Sequence, residues 1–204
     1  MDTMPKNICF LYTETNGLHR TDEHVSKKNM FKFARPVCLN YIIGYKKGSE
    51  FIEVTKERRI FKPEYLSIPE EASDIHGIDY EKAESKGEPG EDILKKFKDD
   101  LKKVSIIISH NLPFHLKALQ IELIRNCISP DFSNFLLIDL ISFNHKLNYP
   151  KLKELSKHVL NKSYDTKKSK FNIEIVKKCF LKLYEDYENN IINSSEQKTS
   201  LKET

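Results

Sequence analysis

The chain has 204 residues, 39% of them hydrophobic, which suffices for one α/β domain with a single buried core and argues against a second domain. With 34 Lys and Arg against 30 Asp and Glu, its formal charge is +4, a balance that permits contact with a polyanion without requiring it. Cys9, Cys38, Cys127 and Cys179 form no C-x-x-C pair, so spacing speaks against a zinc ribbon and a disulfide framework, and each is expected to be a small buried hydrophobe in a reducing compartment.

At the amino terminus, residues 1–6 carry no apolar signal region, and no run approaches the length of a membrane span. A soluble intracellular protein, cytoplasmic or nuclear and without membrane contact, is therefore expected. The run Ile8-Cys9-Phe10-Leu11-Tyr12 predicts a first buried strand that stops at a polar edge. Residues 39–45 and 51–55 predict strands two and three, joined through Lys46-Lys47-Gly48-Ser49 as a hairpin. Between the first two strands, 19–35 is longer than an ordinary connection and reads as an insertion near the site, with Met30, Phe31 and Phe33 as its apolar cluster.

Ile93, Leu94, Phe97 and Leu101 have helical spacing, and Val104-Ser105-Ile106-Ile107-Ile108 follows as a central strand covered on both faces. Pro113 suits the first turn of a helix, because its missing N–H would have no partner there; Leu116, Leu119, Leu123 and Ile124 form its buried face. A fifth strand over 135–140 leads to segments 141–147 and 152–160. The last helix carries one core stripe of Phe171, Ile175, Val176, Cys179, Phe180 and Leu183. A single domain over 1–187 is expected, with 188–204 a polar, disordered tail.

Four stretches within this frame bear on chemistry. Tyr12-Thr13-Glu14-Thr15-Asn16-Gly17-Leu18 is similar to Asp-x-Glu-Thr-Thr-Gly-Leu, and His110-Asn111-Leu112-Pro113-Phe114-His115 to His-Asn-x-x-Phe-Asp, both motifs of the DEDDh-type 3′→5′ exonucleases. Ile68-Pro69-Glu70-Glu71-Ala72-Ser73-Asp74-Ile75-His76-Gly77-Ile78 resembles the same family's Ile-Pro-x-x-Ala-x-x-Ile-His-Gly-Ile, while Ile138-Asp139-Leu140 with Leu152-Lys153-Glu154-Leu155 echoes its Ile-Asp-Thr and Leu-x-x-Leu. The resemblance spans about 7–187 and implies an α/β, RNase H-like (DnaQ-like exonuclease) fold with a mixed central sheet of about five strands flanked by helices.

The family's chemistry uses two divalent metals about 3.5–4 Å apart, held by four carboxylates, with a histidine as general base. Carried over residue by residue, the first acidic position is Tyr12, the second Glu14 and the third His115. The last motif, His-x-x-x-x-Asp, falls on Lys167-Lys168-Ser169-Lys170-Phe171-Asn172, which puts Lys167 at the base and Asn172 at the fourth acid. Asp165, seven residues before Asn172, falls outside the expected helix, and Glu174, two residues on, points to a different helix face, so neither is a good replacement. Hard cations such as Mg²⁺ need anionic oxygens, so the resemblance implies a degenerate, metal-free site with no intact catalytic set and no cofactor.

If nucleic-acid contact is retained, Thr15, Asn16, Gly17, Leu18, His76, His110, Asn111 and Phe114 are its candidate residues. Gly17 also suits a tight turn, Leu18 an anchor for that turn or a wedge against a terminal base, and Asn111 a bond to local backbone. Basic residues group as Lys27, Lys28, Lys32 and Arg35; as Lys56, Arg58 and Arg59; and as Lys162, Lys167, Lys168 and Lys170. The leading expectation is an inactive exonuclease-like subunit that binds single-stranded DNA or RNA, with a protein partner, in a nucleic-acid-processing assembly. Two alternatives stand beside it: an active 3′→5′ exonuclease using Mg or Mn through altered ligands, and a protein-interaction module without nucleic-acid binding.

Overall fold

The computed structural model describes residues 7–164 and 172–200, with 190–200 as backbone. Strand β1 (Asn7–Thr15) lies at the centre of a five-stranded sheet with β2 (Pro36–Lys47), β3 (Glu50–Ile60), β4 (Val104–Ser109) and β5 (Leu136–Asp139). The order is β3-β2-β1-β4-β5; β1, β2 and β3 run antiparallel to their neighbours, and β1, β4 and β5 run parallel. Helices α1 (Glu70–His76), α2 (Tyr80–Lys86) and α3 (Gly90–Asp100) precede β4; α4 (Leu112–Arg125) joins β4 to β5, and α5 (Leu152–Leu160) and α6 (Asn172–Ser200) follow.

Helices cover both faces of β1, which is why its sequence is a continuous apolar run and not an alternating one. Cys9 and Leu11 face a cluster that includes Phe97, Leu119 and Leu123 from α3 and α4. Ile8 and Phe10 face Leu155 from α5 with Val176 and Phe180 from α6. Phe10 is fully buried, with edge-on rings of Phe51 and Phe180 at 5.4 and 5.7 Å; burial of such a ring stabilises the fold by roughly 1.5–3 kcal/mol. In β2, Gly44 stands where the register with β3 shifts, and a Cβ there would lie 2.1 Å from the Ile52 carbonyl oxygen.

Parallel pairing brings the carboxyl ends of β1, β4 and β5 to one edge. The buried Ser109 hydroxyl donates to the Leu11 carbonyl at 2.6 Å, and the Asp139 carboxylate accepts from the Asn111 and Ile141 N–H groups at 2.8 and 3.0 Å. Those bonds fix the turn from β4 into α4, where Asn111 takes the left-handed conformation, φ 60°, that asparagine tolerates better than most residues.

Several boundaries differ from the sequence expectation. Strand β1 continues to Thr15, and the hairpin strands are longer than their apolar centres. Helices α1 and α2 arise where no helix was expected, since 7 residues each are too few to show a periodic stripe. Residues 140–145 form turns. The polar segment expected as a disordered tail from 188 is helical to Ser200, because extending an existing helix needs no new nucleus. Cys9, Cys38 and Cys179 are buried as expected, but Cys127 is exposed at the turn after α4, with φ 54°. Among the described residues, no helix is long and apolar enough to cross a membrane.

Candidate functional site

Side chains alternate along β1, so Tyr12 and Glu14 face the α6 side of the sheet while Thr13 faces α4. Helix α6 opens at Asn172, whose Nδ2–H donates to the Tyr12 hydroxyl at 3.3 Å. His115, in the first turns of α4, lies with its ring centroid 4.5 Å from that of Tyr12. The residues set at the first, third and fourth acidic positions thus meet in space, beside the buried carboxyl-bearing side chain of Glu14. Burial first, and then the charge of Glu14, push the Tyr12 phenol far above its ordinary pKa, opposed by the bond from Asn172. Tyr12 is a neutral phenol at physiological pH.

His115 is neutral too. Its Nδ1 accepts from the Thr13 N–H at 3.1 Å and stands 2.8 Å from the Thr13 hydroxyl. An atom that accepts from an amide carries no proton, so the ring proton is on Nε2, toward the His110 backbone. Burial pushes the His115 pKa down to about 3, helped by the neighbouring His110 and His19 and opposed by the bond to the His110 backbone. Nδ1 ties α4 to β1, while the other ring nitrogen bonds back to the His110 backbone, just before α4.

Above these residues lies a cavity of about 590 Å³ lined by β1 and its following turn, by α1, and by the start of α4. Tyr12, Glu14, Thr15, Asn16, Gly17, Leu18, His76, His110, Asn111, Phe114 and His115 all border it. The two remaining histidines are engaged locally. His110 donates through Nε2 to the Pro150 carbonyl at 2.7 Å, and His76 accepts at Nδ1 from the Ile78 N–H at 3.2 Å with the Thr15 carbonyl also bonded to its ring. Burial lowers the pKa of both. The Thr15 hydroxyl donates to the Gly17 carbonyl at 2.7 Å, shaping a turn in which Gly17 has φ 157°.

Leu18 is 80% exposed at the cavity mouth, so it does not anchor the turn by packing, in contrast to the structural role weighed from sequence. The Asn111 side chain caps no helix N–H, and the backbone of that residue supplies the local bond. Asn16 instead holds the following segment: its Oδ1 accepts from the Arg35 N–H at 2.8 Å, and its Nδ2 donates to the Ser67 carbonyl at 3.2 Å.

Lys167, assigned to the base position, lies outside the described residues, as do Asp165, Lys168 and Lys170. Glu174 turns away from the cavity to pair with Lys56 of β3 and Lys177. Of the basic groups, Lys32 pairs with Glu23, Arg35 with Glu122, Lys56 with Glu174, and Arg59 with Glu57 and Glu88, while Lys27, Lys28, Arg58 and Lys162 make no ion pair among the described residues.

Sequence reasoning missed several site residues. Thr13 was passed over between two motif positions, though period-2 alternation places it on the opposite face, against His115. Glu71 on the rim and Ile75, 55% exposed, come from α1, of which only His76 was named as a candidate from sequence. Asn40, buried opposite Tyr12 in β2, has a side-chain nitrogen with no hydrogen-bond partner among the described residues, and nothing in a single sequence marks it. His19 has no motif either: its ring stacks on Phe114 at 4.4 Å, its Nε2–H donates to the Phe114 carbonyl at 3.0 Å and its Nδ1 accepts from the Ala34 N–H at 3.1 Å.

The sheet order, the parallel β1–β4–β5 edge and the flanking helices define an RNase H-like fold. The chain matches no family model and no curated protein. Solved structures of E. coli Exonuclease I share its fold. The complex with a dT13 oligonucleotide superposes with a TM-score of 0.68 at 16% identity, covering 93% of this chain and 43% of that one. The zinc-bound form of the complex with single-stranded DNA gives 0.67 at 16% identity, covering 94% and 43%. The complex with a 5cy-dA13 oligonucleotide gives 0.63 at 20%, covering 87% and 40%. The chain therefore spans less than half the length of these structures.

Proposed function

We propose that this chain is a catalytically inactive, exonuclease-like domain that binds single-stranded DNA or RNA and acts, with a protein partner, as a binding or architectural subunit of a nucleic-acid-processing assembly. The fold supports the binding half, since Exonuclease I of the same fold has been solved with single-stranded oligonucleotides. The meeting of Tyr12, His115 and Asn172 carries the inactive half. A pair of Mg²⁺ or Mn²⁺ ions needs several anionic oxygens in register. At these positions stand instead a neutral phenol, an amide bonded to it, and an imidazole whose lone pair is engaged by Thr13. Glu14 supplies the only carboxylate of the four, so the donor set does not fit the metal pair.

Glu14 and the rim carboxylate of Glu71 give the alternative of an exonuclease with altered ligands its one observation in favour. Titration calorimetry with Mg²⁺ and Mn²⁺, alongside digestion of an end-labelled single strand, decides between the two. Binding of the strand with neither metal heat nor shortened product is the expected result. Glu14-dependent shortening overturns the inactive reading, and no strand binding at low salt transfers the case to a protein-interaction module.

A further inference from the structure

We infer that the insertion between β1 and β2 is a preformed arm for single-stranded nucleic acid, on which Phe31 stacks against a base and Arg20, Lys27 and Lys28 hold neighbouring phosphates. The inference rests on the nucleic-acid binding proposed above and assigns it a second contact surface beside the cavity.

The arm is held in place by bonds of every kind. Asn16 fixes its start to its end at Arg35, with the Asn16 N–H also donating to the Arg35 carbonyl at 3.0 Å. His19 ties it to Phe114 in the cavity wall, and the Lys117 ammonium of α4 donates to the Asp22 carbonyl at 2.9 Å. Within the arm, Asn29 accepts from the Ser26 N–H and hydroxyl, both at 2.9 Å, and donates to Glu23 at 2.9 Å. A segment so tied loses little further conformational freedom on binding.

On this fixed support the two phenylalanines part company. Phe33 is buried, edge-on to His19 at 5.3 Å, whereas Phe31 in the 3₁₀ turn Met30–Lys32 is 71% exposed. The Arg20 N–H donates to the Lys32 carbonyl at 2.7 Å, which sets Arg20 beside that turn. Arg20, Lys27 and Lys28 are exposed and make no ion pair among the described residues, while the acid Glu23 is engaged by Lys32. A rigid aromatic ring among unpaired cations is the chemistry that takes a base and its flanking phosphates without reading sequence.

Electrostatics selects this side of the cavity. Helix α1, which borders the cavity through Glu71, Ala72, Ile75 and His76, carries Glu70, Glu71 and Asp74, which repel a phosphate backbone. A strand that leaves the cavity past the exposed Leu18 is therefore drawn toward the arm.

The chain contains no tryptophan, so Phe31→Trp places a single indole at the point of stacking. In the full chain its emission is expected to be quenched by unlabelled oligo(dT) or oligo(U). In parallel, anisotropy of a labelled oligo(dT) is expected to show at least about fivefold weaker binding for Phe31→Ala. Lys27→Ala/Lys28→Ala should lower the slope of log K against log salt by about 1 to 1.5. Unquenched tryptophan with wild-type affinity and wild-type salt slope in the variants overturns the arm while leaving the proposed function standing. Failure of the wild-type chain to bind either oligonucleotide at low salt overturns both.

Discussion

The hydroxyl of Tyr12 and the amide of Asn172 meet at 3.3 Å across 160 residues of sequence, joining the last turns of the sheet edge to the first turn of α6. Under the proposed motif correspondence, both places would hold carboxylates in an active exonuclease, and these would repel one another without metal. Here a phenol and an amide attract, and the pair helps close the fold. Tyr12→Phe should cost about 1 kcal/mol, the net worth of one hydrogen bond. Tyr12→Asp should cost more, roughly 2–4 kcal/mol at neutral pH, because it sets a second buried carboxylate beside Glu14. Urea unfolding of both variants measures the difference, and equal losses would show that charge at this edge is immaterial.

If the proposed motif correspondence is right, acids placed at these positions should bind metal. Tyr12→Asp/His115→Asp/Asn172→Asp is expected to be less stable than the wild type without added metal and to gain thermal stability in Mn²⁺, by mass action on the folded state. The wild-type protein should show no comparable rise in melting temperature. A triple variant indifferent to Mn²⁺ would mean that these positions are not the remnant of a metal site.

The pH dependence of stability follows from His115. Its folded pKa, about 3, lies below the value near 6.5 that the unfolded chain retains. Above pH 6.5 both states are neutral and nothing is lost; as pH falls below 6.5 the unfolded state binds a proton that the folded state refuses, so stability declines. The slope is about 1.4 kcal/mol per pH unit from this residue alone. His76, His110 and His19, also lowered by burial, add in the same sense. Chemical unfolding at pH 7.5 and 5.5 should show the loss, and His115→Gln should make it smaller at equal buffer conditions.

Arg35 makes a two-pronged ion pair with Glu122, at 2.5 and 2.9 Å, and also donates to the Glu64 carbonyl at 3.0 Å. Glu122 has 4% of its side chain exposed, so Arg35→Ala leaves a buried charge whose nearest other cation, Arg125, is 3.8 Å away. The expected cost is about 3 kcal/mol, and Arg35→Met/Glu122→Leu should recover most of it. Hydrogen exchange in Arg35→Ala should also quicken at the Arg20 and Ala34 amides, which bond within the arm.

The five strands and the helices α3, α4, α5 and α6 were legible because each carries enough apolar residues at period 2 or 3.6 to announce itself. Helices α1 and α2 were not, being two turns long, and neither was the helical course of 188–200, whose polar composition carries no stripe. At the site, Tyr12, Glu14, His115, Asn172 and the cavity residues from Thr15 to Phe114 were named from motif order. Their neighbours Thr13, His19 and Asn40 were missed, because a residue that matters through one long-range contact leaves no local pattern.

By itself, the amino-acid sequence determined which side chains stand at the positions that the motif resemblance assigns to four acids, since residue type is a property of the chain and fixes how much negative charge any site built from them can hold. Only the tertiary structure decided what those side chains do with one another: that Asn172 bonds Tyr12, that Thr13 engages the His115 lone pair, and that Phe31 stays outside while Phe33 goes in. Those outcomes depend on distances between residues far apart in the chain, and a hydrogen bond or a buried ring exists only once folding has brought its partners within a few ångströms.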